Sequence, residues 1–293
     1  KFGVALNQYR IGEDILLLQD LMHCSRANLA WETGISEPTL NRWVSGTVVP
    51  NHHKVDALYG MAFRKGVRIN RIKEQFYREE VQQGSTVLFH GAKSELVGNV
   101  SVMHSRPNND FGRGFYCGQT YEQAAMFVAG YEESSVYALS FATEGLDGWQ
   151  IAVGREWMLA VSLGRGRLSE YADAPTLRAL SDRLNTVDYI VAPIADNRMF
   201  EVLDAFADGE ITDEQCEHAL SATDLGMQYV IKSPKAASNV LVLERCFLCG
   251  DEKDALRQAG KERTRLGRDK ARVARRRYRG KGLYVEELLD GSH

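Results

Sequence analysis

Asp110-Phe111-Gly112-Arg113-Gly114-Phe115-Tyr116 is the stretch on which the fold turns. A Gly-x-Gly run closed by two aromatics reads as a tight turn feeding a strand: glycine supplies the positive φ, and aromatics suit a half-buried pleated surface. It is not a dinucleotide-binding fingerprint. Neither Gly112-x-Gly114 nor Gly164-x-Gly166 has its third glycine three residues on. Around it, β-branched and aromatic runs predict strands over 86–91, 136–141, 157–163, 189–192, 228–231 and 240–243. Between them, helices are predicted over 122–130, 175–184, 200–207 and 213–222, the last opened by a Thr212/Gln215 capping box. Strands and helices mix without the regular alternation of a doubly wound sheet, which gives an α+β class.

The chain before this region is helical in pattern, over 15–22, 26–32, 38–44 and a long stretch 53–81. Gln82-Gln83-Gly84-Ser85 is a polar break, so a boundary falls there. The expected organisation is an all-α domain over 1–83, the α+β domain over 84–249 and a basic helical tail over 250–290.

Composition narrows the class. With 293 residues, 44% hydrophobic, 26% charged and 6 Pro against 26 Gly, the chain is neither disordered, collagenous nor mucin-like. No run approaches the ~18 apolar residues of a membrane span, so a soluble protein with no membrane partner is expected. Five cysteines, an odd and scattered set, fit a reducing cytoplasm. Cys246 and Cys249, with Cys216 and His218 upstream, could be drawn as a zinc site; because they close an apolar run, buried strand-end thiols are expected and no metal. Lys1 in place of an initiator Met suggests missing leading residues, and Gly291-Ser292-His293 looks like a tag remnant.

Ser25 to Ala30, the turn Thr33-Gly34-Ile35-Ser36 and the stretch Glu37 to Val44 have the spacing of a helix-turn-helix. Gly34 supplies the turn, Pro38 the first helical position, and Ala30, Ile35, Leu40 and Trp43 the wedge. The segment resembles the DNA-binding domains of phage-repressor-like regulators. That resemblance implies that Glu37, Thr39, Asn41 and Arg42 face the major groove and Arg26 or Asn28 the backbone. It also implies pairing as a homodimer. The alternative is a helical bundle that binds protein or dimerises, since Glu32 and Glu37 make the surface less basic than most DNA readers. The tail, with Arg275, Arg276 and Arg277 at its densest point, reads either as a solvated face or as a phosphate-binding helix. Leu283 to Leu289 returns to an amphipathic pattern expected to dock on the body or a partner.

Three separated segments carry the chemistry: Leu88-Phe89-His90-Gly91, Asp110 to Tyr116, and Met227-Gln228-Tyr229-Val230-Ile231-Lys232-Ser233. Taken singly, each has an ordinary structural explanation. In order and separation they resemble the diphtheria-toxin and poly(ADP-ribose) polymerase type of ADP-ribosyltransferase. The resemblance is closest to a bacterial family of uncharacterised domains related to those transferases. Asp-Phe-Gly-x-Gly-Phe-Tyr, Gln123-Ala124-Ala125, Glu156-Trp157-Met158, Tyr189 to Arg198 and Gly209 to Thr212 all match it, from about Val87 to Leu243.

The resemblance implies an ADP-ribosyltransferase-like split sheet and NAD as co-substrate. It assigns His90 to the adenosine ribose and Gly91 to the nicotinamide carboxamide. Tyr116, beside Phe115, is assigned to the pyridinium face, and Arg106, Arg113 and Arg198 to the remaining cofactor contacts, with Arg106 or Arg113 at the pyrophosphate. Breaking the nicotinamide–ribose bond builds positive charge on the ribose, and a carboxylate usually offsets it. Here the neutral Gln228 stands at that strand position, which disfavours polymer synthesis and favours single transfer. Asp196 either compensates for the missing charge or merely pins its turn by pairing with Arg198. The implied function is mono-ADP-ribosylation by a toxin or phage-defence effector. Its target would be nucleic acid, DNA or RNA, or a nucleic-acid-associated protein, and an antitoxin protein would be among its partners. The alternatives are an NAD-sensing transcriptional regulator without turnover and an antitoxin scaffold.

Overall fold

The computed structural model describes residues 9–195, 197–222 and 225–290. In chain order the elements are α1 (Ile11–Met22), α2 (Arg26–Thr33), α3 (Glu37–Val44), α4 (His52–Arg64), α5 (Ile69–Glu80), β1 (Ser85–Ala92), β2 (Phe115–Gly118), α6 (Tyr121–Val128), β3 (Ser135–Ala142) and β4 (Gly148–Gln150). There follow α7 (Arg155–Gly164), α8 (Pro175–Thr186), β5 (Tyr189–Pro193), α9 (Asn197–Ala207), α10 (Asp213–Ser221), β6 (Met227–Ile231), α11 (Pro234–Ser238), β7 (Val240–Cys246), α12 (Gly250–Arg277) and α13 (Val285–Leu289). The chain is α+β, a helical region preceding the strands. It divides into two compact units of separated stretches. The first takes the chain up to Asn99, Thr120–Ala142 and Leu241–Ala259; the second takes Val100–Gln119, Thr143–Val240 and the chain from Gly260 on.

In the first unit, Ser25 caps α2: its side chain accepts from the Asn28 N–H, and the Asn28 side chain reaches back to the Ser25 N–H. Gly34 then takes φ 68°, a left-handed turn that favours glycine, and Pro38 sits in the first turn of α3. Leu29, Ile35, Leu40 and Trp43 are buried with Ile15 and Leu18 of α1, and Ala30 packs against them. The expected turn and wedge are therefore present. The single helix predicted over 53–81 is instead two, because the chain leaves α4 at Lys65 and Gly66, where φ is 87°. β1 pairs antiparallel with β3, from Ser85 opposite Ala142 to Ala92 opposite Ser135, and β7 lies on the other side of β3. α6 packs on these strands through Ala125 and Val128 against Phe89, Val136 and Cys246.

The second unit orders its strands β4-β5-β6-β2, with β4 parallel to β5 and the other neighbours antiparallel. The strand predicted over 157–163 is α7. Trp157 to Ser162 are all buried, so no polar face interrupts the run, and a fully buried helix cannot be told from a buried strand by periodicity. Trp157, Met158 and Val161 pack with Ile190, Phe206 and Val230. Val285 and Leu289 of α13 join the same core, so the amphipathic stretch after the tail docks on the body as expected.

Among the described residues, no helix is long and apolar enough to cross a membrane. The five cysteines are free thiols. Cys246 ends β7 and Cys249 immediately precedes α12, and burial pushes the Cys249 thiol up to about 12.

Candidate active site

On the β2–β6 ladder Tyr116 faces Val230, and Gly118 faces Gln228. Side chains opposite one another share a face, and so do residues two apart. Tyr116 and Gln228 therefore project from one face of the second unit's strands. Phe115 projects from the other and is 6% exposed.

The loop ahead of β2 is strapped from several sides. The Tyr116 hydroxyl accepts the Phe111 N–H at 3.1 Å and donates to the Gly112 carbonyl at 2.7 Å. Arg113 donates back to the Met103 and Ser105 carbonyls at 3.0 and 3.1 Å. Lys232, just past β6, donates to the Phe111 carbonyl, and to that of Arg113 at 2.8 Å. A Cβ on Gly114 would stand 2.7 Å from Val230 Cγ1 and 3.0 Å from the Ile231 carbonyl oxygen, so the second glycine of the motif is dictated by close packing on β6. Burial pushes the Tyr116 phenol up, keeping it a neutral donor.

This strapping holds Asp110 against Gln228. The Gln228 amide donates from Nε2 to Asp110 Oδ2 at 3.3 Å and to the Pro193 carbonyl at 3.1 Å. Asp110 Oδ1 lies 3.5 Å from Arg165 Nη1, and that guanidinium lies over the Phe200 ring, 3.5 Å from its centroid. Burial raises the Asp110 carboxyl, while the Gln228 amide and the Arg165 charge pull it back. Both Asp110 and Gln228 are buried.

Burial also draws the Lys232 ammonium down from 10.5 to about 8. Between those values the unfolded chain holds a proton that the folded chain has lost, so this group makes unfolding harder as pH rises. Going from about pH 8 to about pH 10 should therefore stabilise the wild type relative to Lys232→Met by roughly 1 kcal/mol, a figure discounted for the partly exposed site. Urea titrations at the two pH values check this, and parallel curves would refute it.

Of the remaining predicted site residues, His90 and Gly91 lie on β1 in the first unit, His90 half-buried opposite Tyr137. Gly91 has a packing reason of its own, because a Cβ there would stand 2.5 Å from the Ala124 carbonyl oxygen of α6. Arg106 and Arg113 are exposed in the second unit. Asp196 lies outside the described residues, and so does the side chain of Arg198, whose backbone belongs to α9. Sequence reasoning gave Asp110, Arg165 and Lys232 no part in holding the site. Asp110 opens the quoted motif, and an acid beside a glycine turn that feeds a buried strand was the one available signal.

The predicted nucleic-acid-facing residues form a bonded surface on α2 and α3. Arg26 donates to Asn41 Oδ1 at 2.7 Å and from Nη2 to Gln19 Oε1 at 2.9 Å. Asn28 is used in the cap of α2. Arg42 donates to the Pro38 carbonyl at 3.3 Å and to Thr39 Oγ1 at 3.4 Å. Asn28, Asn41 and Arg42 are exposed. On α12, Arg276 and Arg277 are exposed, while Arg275 is half-buried and its carbonyl accepts from Gln215 at 2.8 Å.

Residues 86–241 match the family described as protein of unknown function DUF3990, and the chain belongs to that family. No curated protein and no solved structure matches the chain.

Proposed function

We propose that the chain is an NAD-dependent mono-ADP-ribosyltransferase. The observation that carries this reading is the placement of Tyr116 and Gln228 on one face of the β2–β6 ladder, with the motif loop fixed against both. In this reading Tyr116 stacks on the nicotinamide ring and Gln228 accepts the ribose hydroxyl. His90 and Gly91 bind the two ends of NAD, with Arg106 or Arg113 at the pyrophosphate. A neutral amide is no general base, so a single transfer rather than chain elongation follows. The helix-turn-helix of α2 and α3 and the arginines of α12 support nucleic acid, or a protein bound to it, as the target. A toxin or phage-defence role in the cytoplasm, with an antitoxin partner and a homodimeric assembly, belongs to the same reading.

Incubated with labelled NAD and separate pools of DNA, RNA and cell protein, the protein should release nicotinamide and label one pool. His90→Ala and Tyr116→Ala should each lose turnover by on the order of 100-fold. Full turnover in both variants would reject the reading. The neutrality of Gln228 favours one other reading, an NAD-sensing regulator, which binding of NAD without nicotinamide release would select.

A further inference from the structure

The Gln228 amide has two N–H donors and one carbonyl acceptor. Both donors are engaged, one by Asp110 Oδ2 at 3.3 Å and one by the Pro193 carbonyl at 3.1 Å. Turning the amide over would set Oε1 against two oxygen acceptors, so its orientation is forced. Among the described residues Oε1 receives no hydrogen bond. The group left to bind a ligand is therefore an acceptor.

We infer that Asp110 is the carboxylate of this site, a positioning residue that acts through Gln228 by locking its amide with the carbonyl oxygen outward and polarising that oxygen. The inference rests on the transferase reading above and names the charge which that reading leaves open. A charge one hydrogen bond behind an amide strengthens the amide's acceptor in a poorly solvated site. The Asp110 backbone packs closely on α7: its carbonyl oxygen lies 2.4 Å from where a Cβ on Gly164 would stand.

In the reaction the bond between ribose C1′ and the nicotinamide nitrogen breaks, and its electron pair leaves with neutral nicotinamide. The acceptor's lone pair forms the new bond to C1′, and the acceptor's proton passes to solvent. Nothing is oxidised or reduced. Positive charge on the ribose rises and falls along this path, and the Asp110–Gln228 pair opposes it where it is greatest.

The test is nicotinamide release by the full chain, with kcat and KM for NAD measured separately. Asp110→Asn keeps an oxygen for the amide while removing the charge and its pairing with Arg165. It should leave KM within about 3-fold and lower kcat by roughly 10- to 100-fold. In Asp110→Asn/Gln228→Glu the amide and carboxylate trade places, and kcat should recover by about tenfold or more over the single variant. Unchanged kcat in Asp110→Asn overturns the inference, as does a folded double variant no faster than the single one. Should Asp110→Asn fail to fold, the double variant decides alone: turnover above about a tenth of wild type supports the inference, and less overturns it. A wild-type chain that releases no nicotinamide defeats the transferase reading and takes this inference with it. Wild-type release alongside an undiminished Asp110→Asn defeats this inference only.

Discussion

Lys73→Met should cost the first unit about 3–5 kcal/mol at neutral pH, the scale expected when one partner of a buried ion pair is removed. The Lys73 ammonium on α5 donates to both Asp14 oxygens, at 2.8 and 2.9 Å, and to Glu244 on β7. Asp14 also takes the Tyr59 hydroxyl, and Glu244 that of Tyr77. Asp14, Lys73 and Glu244 are 3%, 5% and 3% exposed, so one cation serves two carboxylates that water cannot reach. Burial pulls the Lys73 ammonium down, but Asp14 and Glu244 together hold it above its ordinary value. Glu244 is raised by burial against the pull of Lys73. A carboxyl raised on folding contributes stability that is lost as pH rises through its folded value. Without Lys73 that loss should deepen, so the variant should regain stability in mild acid. Urea unfolding at about pH 7 and about pH 5 checks both parts, and a loss under about 1 kcal/mol at neutral pH would mean the network is solvated.

The second large effect is expected at Gly164→Ala, in the last turn of α7. On a free helix this change would add about 1 kcal/mol of stability, since alanine is the better helix former. Here the new Cβ would stand 2.4 Å from the Asp110 carbonyl oxygen, 3.0 Å from its carbon and 3.1 Å from the Gly112 nitrogen. All three are backbone atoms, so no rotamer change relieves the contact. The loop must shift, at the roughly 1–3 kcal/mol typical of overpacking. Because the same loop carries Asp110 and bonds the Tyr116 hydroxyl, nicotinamide release should fall by about tenfold as well. A raised thermal midpoint with undiminished release would show that the loop yields freely.

Local signals were read correctly where they rest on backbone chemistry. Gly34, Pro38 and the Thr212/Gln215 box each satisfy a requirement of a turn or helix end, and the chain meets them where the sequence placed them. The β1 and β6 runs were legible because their apolar density is strand-like and short. Residues 157–163 were misread because complete burial erases the period that distinguishes a helix. β2 was legible only as the strand fed by the Gly-x-Gly turn, and the three-residue β4 was too short to be predicted as a strand. At the candidate site, Tyr116 and Gln228 were found from their segments, but the hold of Asp110 on Gln228 spans 118 residues of chain. Neither sequence neighbourhood announces it. The same is true of Lys232, whose partners are carbonyls supplied by a distant loop.

A nascent chain meets the two acids of Lys73 at very different times. Asp14 has already emerged when Lys73 leaves the ribosome, but Glu244 follows 171 residues later. Until β7 arrives, the amino-terminal helices hold their buried lysine with one counter-charge and an open flank. Their final closure is thus deferred until β7 has been synthesised, and ribosome-stalled intermediates should resist proteolysis across these helices only once translation has passed that strand.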